Sequence, residues 1–347
     1  MPEYKVVTCL AMVAGCVGLF ATSYLLRFSE SALITNTQNG AIDSSYYFYL
    51  IKSYDFGQLI IETPNIQSLP FLFLAKTACM PFGCSLVGYF VFGSVLLLFI
   101  IILAKFDVVV VFLILPLVIY VITPGKEGYL LIGLLLWYNH KSNFKKYLGF
   151  LIAAVSRPGY AIIYLLPTFS TSFRIYVLIG LCAIYLGYDT VFKFAKLYQD
   201  ANVLAYSSPC NLSIFSFCYK DGNLFHTIYI FFNRIIFGIF ILPFKSVLDL
   251  RYYLNFEAES FNFYLDFLQA LSAFIYYKYL LKFLRIICLS NISLWRLLRS
   301  VEALTFTLIL FVVYGLVFYS MERILPFLYL ALYYLFSRSK ALLRCDM

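Results

Sequence analysis

The sequence predicts an all-α polytopic membrane protein with about ten transmembrane helices. Three observations carry that expectation. The 347 residues are 63% hydrophobic and only 12% charged, with a mean hydropathy of +0.88. Apolar runs recur along the whole chain, long enough for helices that cross ~30 Å of hydrocarbon. Lysine and arginine are shared unevenly between the loops joining those runs.

The runs are 6–26, 84–105, 107–123, 127–140, 147–167, 174–192, 223–243, 263–284, 301–319 and 324–337; the fourth and tenth are short. The first follows MPEYK, which carries one positive charge and no clear small-x-small cleavage site, and it stays apolar to Leu26. It therefore reads as a retained helix and not a signal peptide. Residues 69–83 (LPFLFLAKTACMPFG) are apolar too, but Lys76 and Pro81 interrupt a run already too short to span. That piece is expected to be re-entrant or interfacial.

With the N-terminus inside, 16 of the 26 lysines and arginines fall in cytoplasmic segments and 8 in outer ones. The bias places both termini in the cytoplasm. Had 69–83 crossed, the basic segments NHKSNFKK and KYLLKFLR would face outward. The net charge of +9 is mostly this inner bias, aided by attraction to anionic membrane lipids. Nucleic acid is excluded as a partner, since no soluble domain exists to carry a basic face.

No internal repeat or flexible linker divides the chain, so it reads as one membrane domain over 1–347. Its outer loops are 27–68 and 244–262, and its inner ones 193–222 and 285–300. The nine cysteines form no CxxC pair. Cys9, Cys16, Cys79, Cys84, Cys182 and Cys288 read as small core residues. Cys210 and Cys218 are near enough to bridge but fall on the reducing side. No zinc or redox signature is present, and neither a metal nor a cofactor is expected.

Candidate chemistry begins in the first outer loop. Asp43 opens a stretch, 43–52, whose Tyr46, Tyr47 and Phe48 suit a short amphipathic helix at the interface, ended by Phe56-Gly57. Asp43 reads equally well as a helix cap and as a catalytic carboxylate. The next polar point is Thr123-Pro-Gly-Lys-Glu-Gly128 at the outer face. Proline and glycine serve the turn. Lys126 and Glu127 are either a weak surface ion pair or an anion-binding cation beside a general base.

Two arginines lie inside apolar runs. Arg157 falls in Ser156-Arg-Pro-Gly-Tyr160, where proline breaks the helix. Irregular backbone at membrane depth is tolerated where it is buried in protein or lines a cavity. Arg234 follows Asn233 in NLFHTIYIFFNRIIFGIFILPF. A guanidinium at mid-membrane costs at least ~2.5–3.5 kcal/mol unless paired or solvated, which predicts a polar cavity suited to an anion. His226, near the inner end of the same run, reads as structural. In the outer loop 244–262, Arg251 and Glu257 are interleaved with aromatics. That loop suits an interfacial helix or a sugar-binding lid.

The order of these features resembles the GT-C class of membrane glycosyltransferases. Asp43-Ser-Ser-Tyr-Tyr, Leu69-Pro70-Phe71-Leu72 and Pro81-Phe82-Gly83-Cys84-Ser85 carry the likeness. The Pro-Gly-Lys-Glu turn, followed about thirty residues on by Arg-Pro, is similar to bacterial O-antigen and exopolysaccharide repeat-unit polymerases (Wzy-like). The likeness covers roughly 40–165. It implies a GT-C-like fold, a polyprenyl-pyrophosphate-linked oligosaccharide as substrate, and a site on the periplasmic side of the inner membrane. Asp43 and Glu127 are the implied catalytic carboxylates. Lys126, Arg157, Arg234 and Arg251 would hold the pyrophosphate, and Tyr46, Tyr47, Tyr160 and Glu257 the sugars. The acidic pair of metal-using relatives is missing, since Ser44 follows Asp43. A chain-length regulator is a further implied partner. Two other readings compete: transfer of a single sugar from polyprenyl phosphate, and transport of a lipid-linked oligosaccharide. Transporters often pair broken helices in two matched halves, and the SRPGY break has no counterpart.

Overall fold

The computed structural model describes residues 3–27, 42–63, 68–122, 125–139 and 141–157. It also describes 176, 179, 268, 270–278, 281, 285, 326–331, 333 and 334. Among the described residues the protein is all-α, with no strand. The chain forms two compact units, Met1–Ile162 and Ile163–Met347. Most of the second unit, with the expected spans from 174 onward, lies outside the described residues. Its described part includes a helical stretch at 270–278, where Ala270, Ala273 and Tyr276 are buried.

The first unit follows the expected runs, with informative departures. Helix α1 (Glu3–Arg27) covers the first run. Helix α2 (Ile42–Ser53) carries the tyrosine-rich stretch. Phe56-Gly57 was expected to end it, yet these residues instead open α3 (Phe56–Glu62). The reason is a capping box. Asp55 Oδ1 accepts from the Gln58 amide at 2.7 Å, and Gln58 Oε1 accepts from the Asp55 amide at 3.1 Å.

Helix α4 (Leu69–Cys79) runs into a 3-10 turn, Met80–Phe82. Helix α5 (Leu86–Leu103) then leaves at a sharp bend. Leu69–Phe82 and Val87–Leu103 are together apolar and long enough to cross a membrane, but they meet at 105°. Among the described residues no single helix is long and apolar enough to cross alone. Gly83 makes the bend with φ 68°, and Gly88 lets α5 close on it, since a Cβ there would lie 1.8 Å from the Gly83 carbonyl oxygen. Cys79 and Cys84 flank the turn and are bridged as a disulfide, with Cα atoms 5.2 Å apart. Reading them as two separate core thiols was therefore wrong. The folded-back turn brings together Cβ atoms that an uninterrupted apolar segment would hold apart.

The run 107–123 is not one helix. Asp107 caps α6 (Val108–Ile114), and Pro116, lacking an amide donor, tightens the chain into a 3-10 turn before α7 (Val118–Ile122). Helix α8 (Glu127–Asn139) is buried around nearly its whole circumference, which marks the central helix of this unit. It packs on α5, α7 and α9 (Asn143–Ser156), and α1 packs on α6 and α7.

Glycine sets how closely α8 and α9 approach. A Cβ on Gly133 would lie 2.5 Å from the Gly149 carbonyl oxygen, and one on Gly149 would lie 2.6 Å from that of Gly133. The two backbones touch, a geometry common where helices associate without a hydrophobic drive. A single core then joins α2, α3 and α4 to α5 and α8, through Phe48, Leu59, Phe71, Leu72, Tyr89 and Tyr129. Helices α2 and α3 are thus packed onto the bundle.

Candidate functional site

The site lies where α2, α4, α8 and α9 meet, and each helix end is placed by local chemistry. Lys76, on α4, donates to the Ile51 carbonyl in the last turn of α2 at 2.7 Å, where a cation complements the helix dipole. That bond fixes α2 on α4. Tyr47 then packs edge-on against Phe71, with ring centroids 5.2 Å apart, and Phe71 meets Tyr129 of α8 at 5.6 Å.

Ser68 stands at the N-cap position of α4, yet its side chain makes no capping bond. Instead its buried hydroxyl accepts from Lys126 Nζ at 2.7 Å and lies 3.3 Å from the Tyr47 hydroxyl. The same ammonium lies 5.1 Å from the Tyr47 ring centroid and 5.9 Å from that of Phe71. Aromatic faces at these distances stabilise a cation.

Glu127 begins α8 and is buried. Arg157 is the C-cap of α9, where the helix stops with φ −150° and ψ 84°. Its Nη2 donates to Glu127 Oε1 at 2.6 Å, with side-chain exposures of 19% for Arg157 and 4% for Glu127. Gly125 leaves room for the carboxylate. A Cβ there would lie 2.7 Å from Glu127 Oε2 and 2.6 Å from the Tyr120 carbonyl oxygen.

One expectation changes. Lys126 and Glu127 do not form an isolated surface pair, since a carboxylate this buried takes its countercharge from Arg157 across thirty residues of sequence. Arg157 itself stands where the Arg-Pro break was expected, at the end of α9, and it is paired with Glu127. Removing either member of such a buried pair costs about 3–5 kcal/mol.

Of the remaining sequence candidates, Asp43 and Tyr46 fall in the first two turns of α2, with Asp43 one helical turn before Tyr47. Tyr160, Arg234, Arg251 and Glu257 lie outside the described residues. The residues missed from sequence are Ser68 and Phe71. A serine directly before an apolar helix reads as a cap, and nothing local signals that its hydroxyl serves a lysine 58 positions later.

The far end of the same bundle differs. Lys105 Nζ donates to the Asn139 carbonyl at 2.9 Å, and Asn139 Nδ2 to the Leu103 carbonyl at 2.8 Å. Lys105, Lys141, Lys145 and Lys146 therefore gather at the opposite end of α8 from Glu127, about 18 Å away by helical rise. No cluster of metal-ligating side chains occurs among the described residues.

Chemically, the site offers an ammonium, a guanidinium and a carboxylate, for a net charge of +1, beside the half-buried Tyr47 ring and two hydroxyls. Such a set suits an anionic ligand that carries a ring. No protein-family model matches this chain, and no curated protein or solved structure matches it either.

Proposed function

We propose that this chain is a GT-C-type glycosyltransferase of the bacterial inner membrane. It joins polyprenyl-pyrophosphate-linked oligosaccharide repeat units at the periplasmic face. The observation that carries the reading is the convergence of Tyr47, Ser68, Lys126, Glu127 and Arg157, which come from four separate stretches of sequence. These cationic, acidic and aromatic groups are those a glycosyl pyrophosphate needs.

In this reaction an acceptor hydroxyl attacks the anomeric carbon of the donor. The bond from that carbon to the pyrophosphate oxygen breaks, and its electron pair leaves with the lipid pyrophosphate. Arg157 offers a planar fork that binds two phosphate oxygens at once, and Lys126 adds a point charge. Charge held on the departing oxygen is transition-state stabilisation, usually the largest catalytic term. Glu127 accepts the hydroxyl proton as general base. Tyr47, which is half-buried, provides a face on which a sugar ring stacks.

About ten transmembrane helices and cytoplasmic termini belong to the same proposal. The gathering of Lys105, Lys141, Lys145 and Lys146 at the opposite end of α8 supports that orientation, since basic residues favour the cytoplasmic side. Purified full-length chain in nanodiscs, given lipid-linked repeat units, is expected to build a ladder of longer saccharides. Recovery of only unextended repeat units would sink the assignment. Movement of the intact lipid-linked unit across the bilayer without new glycosidic bonds would favour transport.

A further inference from the structure

The Glu127 carboxylate occupies the position that an anionic ligand of Arg157 would take. Its Oε1 lies 2.6 Å from Nη2, a normal distance for a guanidinium donating to either a carboxylate or a phosphate oxygen. The two side chains are not equally committed to the pair. Arg157 is the more exposed and sits on irregular backbone at a helix end, whereas Glu127 is enclosed at the start of the central helix. An arriving anion can therefore reach the guanidinium, while the carboxylate has little room to follow it.

We propose that the Arg157–Glu127 pair is an exchangeable latch: the donor diphosphate displaces Glu127 from Arg157 and so arms Glu127 as the base. This rests on the glycosyltransferase reading and adds the order of events at the same site. While paired, Glu127 Oε1 is engaged by the Arg157 guanidinium and is not offered to an acceptor hydroxyl. Once the diphosphate takes the guanidinium, that oxygen is released to accept a proton. The nearest source in a filled site is the acceptor hydroxyl. That proton passes to Glu127 as the hydroxyl oxygen bonds to the anomeric carbon and the diphosphate leaves with the electron pair. Protonation also raises the net charge of the cluster, in step with the charge developing on the leaving group. Without donor, Glu127 stays neutralised by Arg157, which disfavours activation of water or of an acceptor alone.

The test uses full-length protein in nanodiscs, with inorganic pyrophosphate as the probe. Glu127→Gln removes the internal competitor for Arg157, so pyrophosphate is expected to bind several-fold more tightly while saccharide transfer is lost. Equal or weaker binding by this variant, with clear binding by the wild type, would overturn the exchange and leave the transferase reading standing. Binding by neither protein would sink both. A second measurement needs no variant. Carbodiimide labelling of Glu127, read by peptide mass spectrometry against the exposed Glu62 as internal reference, is expected to rise several-fold when pyrophosphate is added. An unchanged or reduced ratio means that Arg157 keeps its carboxylate partner, and the latch is rejected.

Discussion

Lys126 Nζ lies 2.7 Å from Ser68 Oγ, which ties the start of the central helix to the start of α4. The contact crosses 58 residues of sequence and sets the ammonium over the rings of Tyr47 and Phe71. Lysine has a flexible four-carbon stem and no preferred fork. Its direction must come from what receives it, and the buried Ser68 hydroxyl is such an acceptor.

Ser68→Ala should therefore act on ligand binding through Lys126. A hydrogen bond to a charged group contributes ~1.5–3 kcal/mol when fully formed, and partial exposure lowers this to about a tenfold rise in KM for the lipid-linked donor. Ser68→Thr keeps the hydroxyl and is expected to recover most of the loss. Equal KM values for wild type and Ser68→Ala would show that Lys126 needs no such guide.

The Arg157–Glu127 pair should behave as a unit in stability as well as in chemistry. Arg157→Ala leaves a buried carboxylate without its partner and is expected to lower detergent-solubilised stability by about 3–5 kcal/mol. Glu127→Gln added to Arg157→Ala removes the stranded charge, so the double variant should be more stable than Arg157→Ala alone while remaining inactive. Arg157→Lys keeps the charge and should insert normally, but transfer should fall on the order of a hundredfold as the fork is lost. Thermal unfolding of wild type, Arg157→Ala, Glu127→Gln and the double variant in one detergent checks the cycle, and strict additivity of the two single changes would contradict coupling.

Much of the first unit was legible in sequence, for identifiable reasons. Run length located α5 and α8, the Arg-Pro junction marked where α9 stops, and Lys126, Glu127 and Arg157 stood out as charges in apolar surroundings. The partnerships were not legible. Glu127 lies next to Lys126 in sequence but pairs with Arg157, because helix direction and the Gly133–Gly149 contact set α9 antiparallel to α8. The Cys79–Cys84 bridge was missed for a similar reason. It depends on Gly83 folding the chain back, a backbone event that hydropathy does not register. Asp-x-x-Gln at residues 55–58 is a capping signal readable in the sequence itself.

The Gly133–Gly149 contact gives a packing prediction away from the candidate site. A side chain at Gly133 meets the Gly149 carbonyl oxygen and the Ala153 Cβ within 3 Å. Gly133→Leu should therefore push α9 away and cost about 1–3 kcal/mol or more by overpacking. Gly15 is the control, because a Cβ there meets nothing within 4 Å. Gly15→Ala is expected to be neutral or to stabilise α1 by up to about 1 kcal/mol. Melting temperatures that fall equally for both variants would refute the close approach.

The disulfide makes the orientation testable without any activity assay. Cys79 and Cys84 flank the same bend that follows α4, and Ser68 at the other end of α4 holds Lys126. If that region faces the periplasm, the bridge forms and persists there, whereas the cytoplasm would keep both thiols reduced. Cells quenched in acid and alkylated before reduction should yield a 79–84 peptide free of the first label, which gains two of the second label after reduction. A single cysteine placed at position 126 should react with a membrane-impermeant maleimide from outside. One at position 145 should react only after permeabilisation. Thiols found reduced at 79 and 84 together with outside labelling at 145 would reverse the orientation, and the donor site could not then face the periplasm.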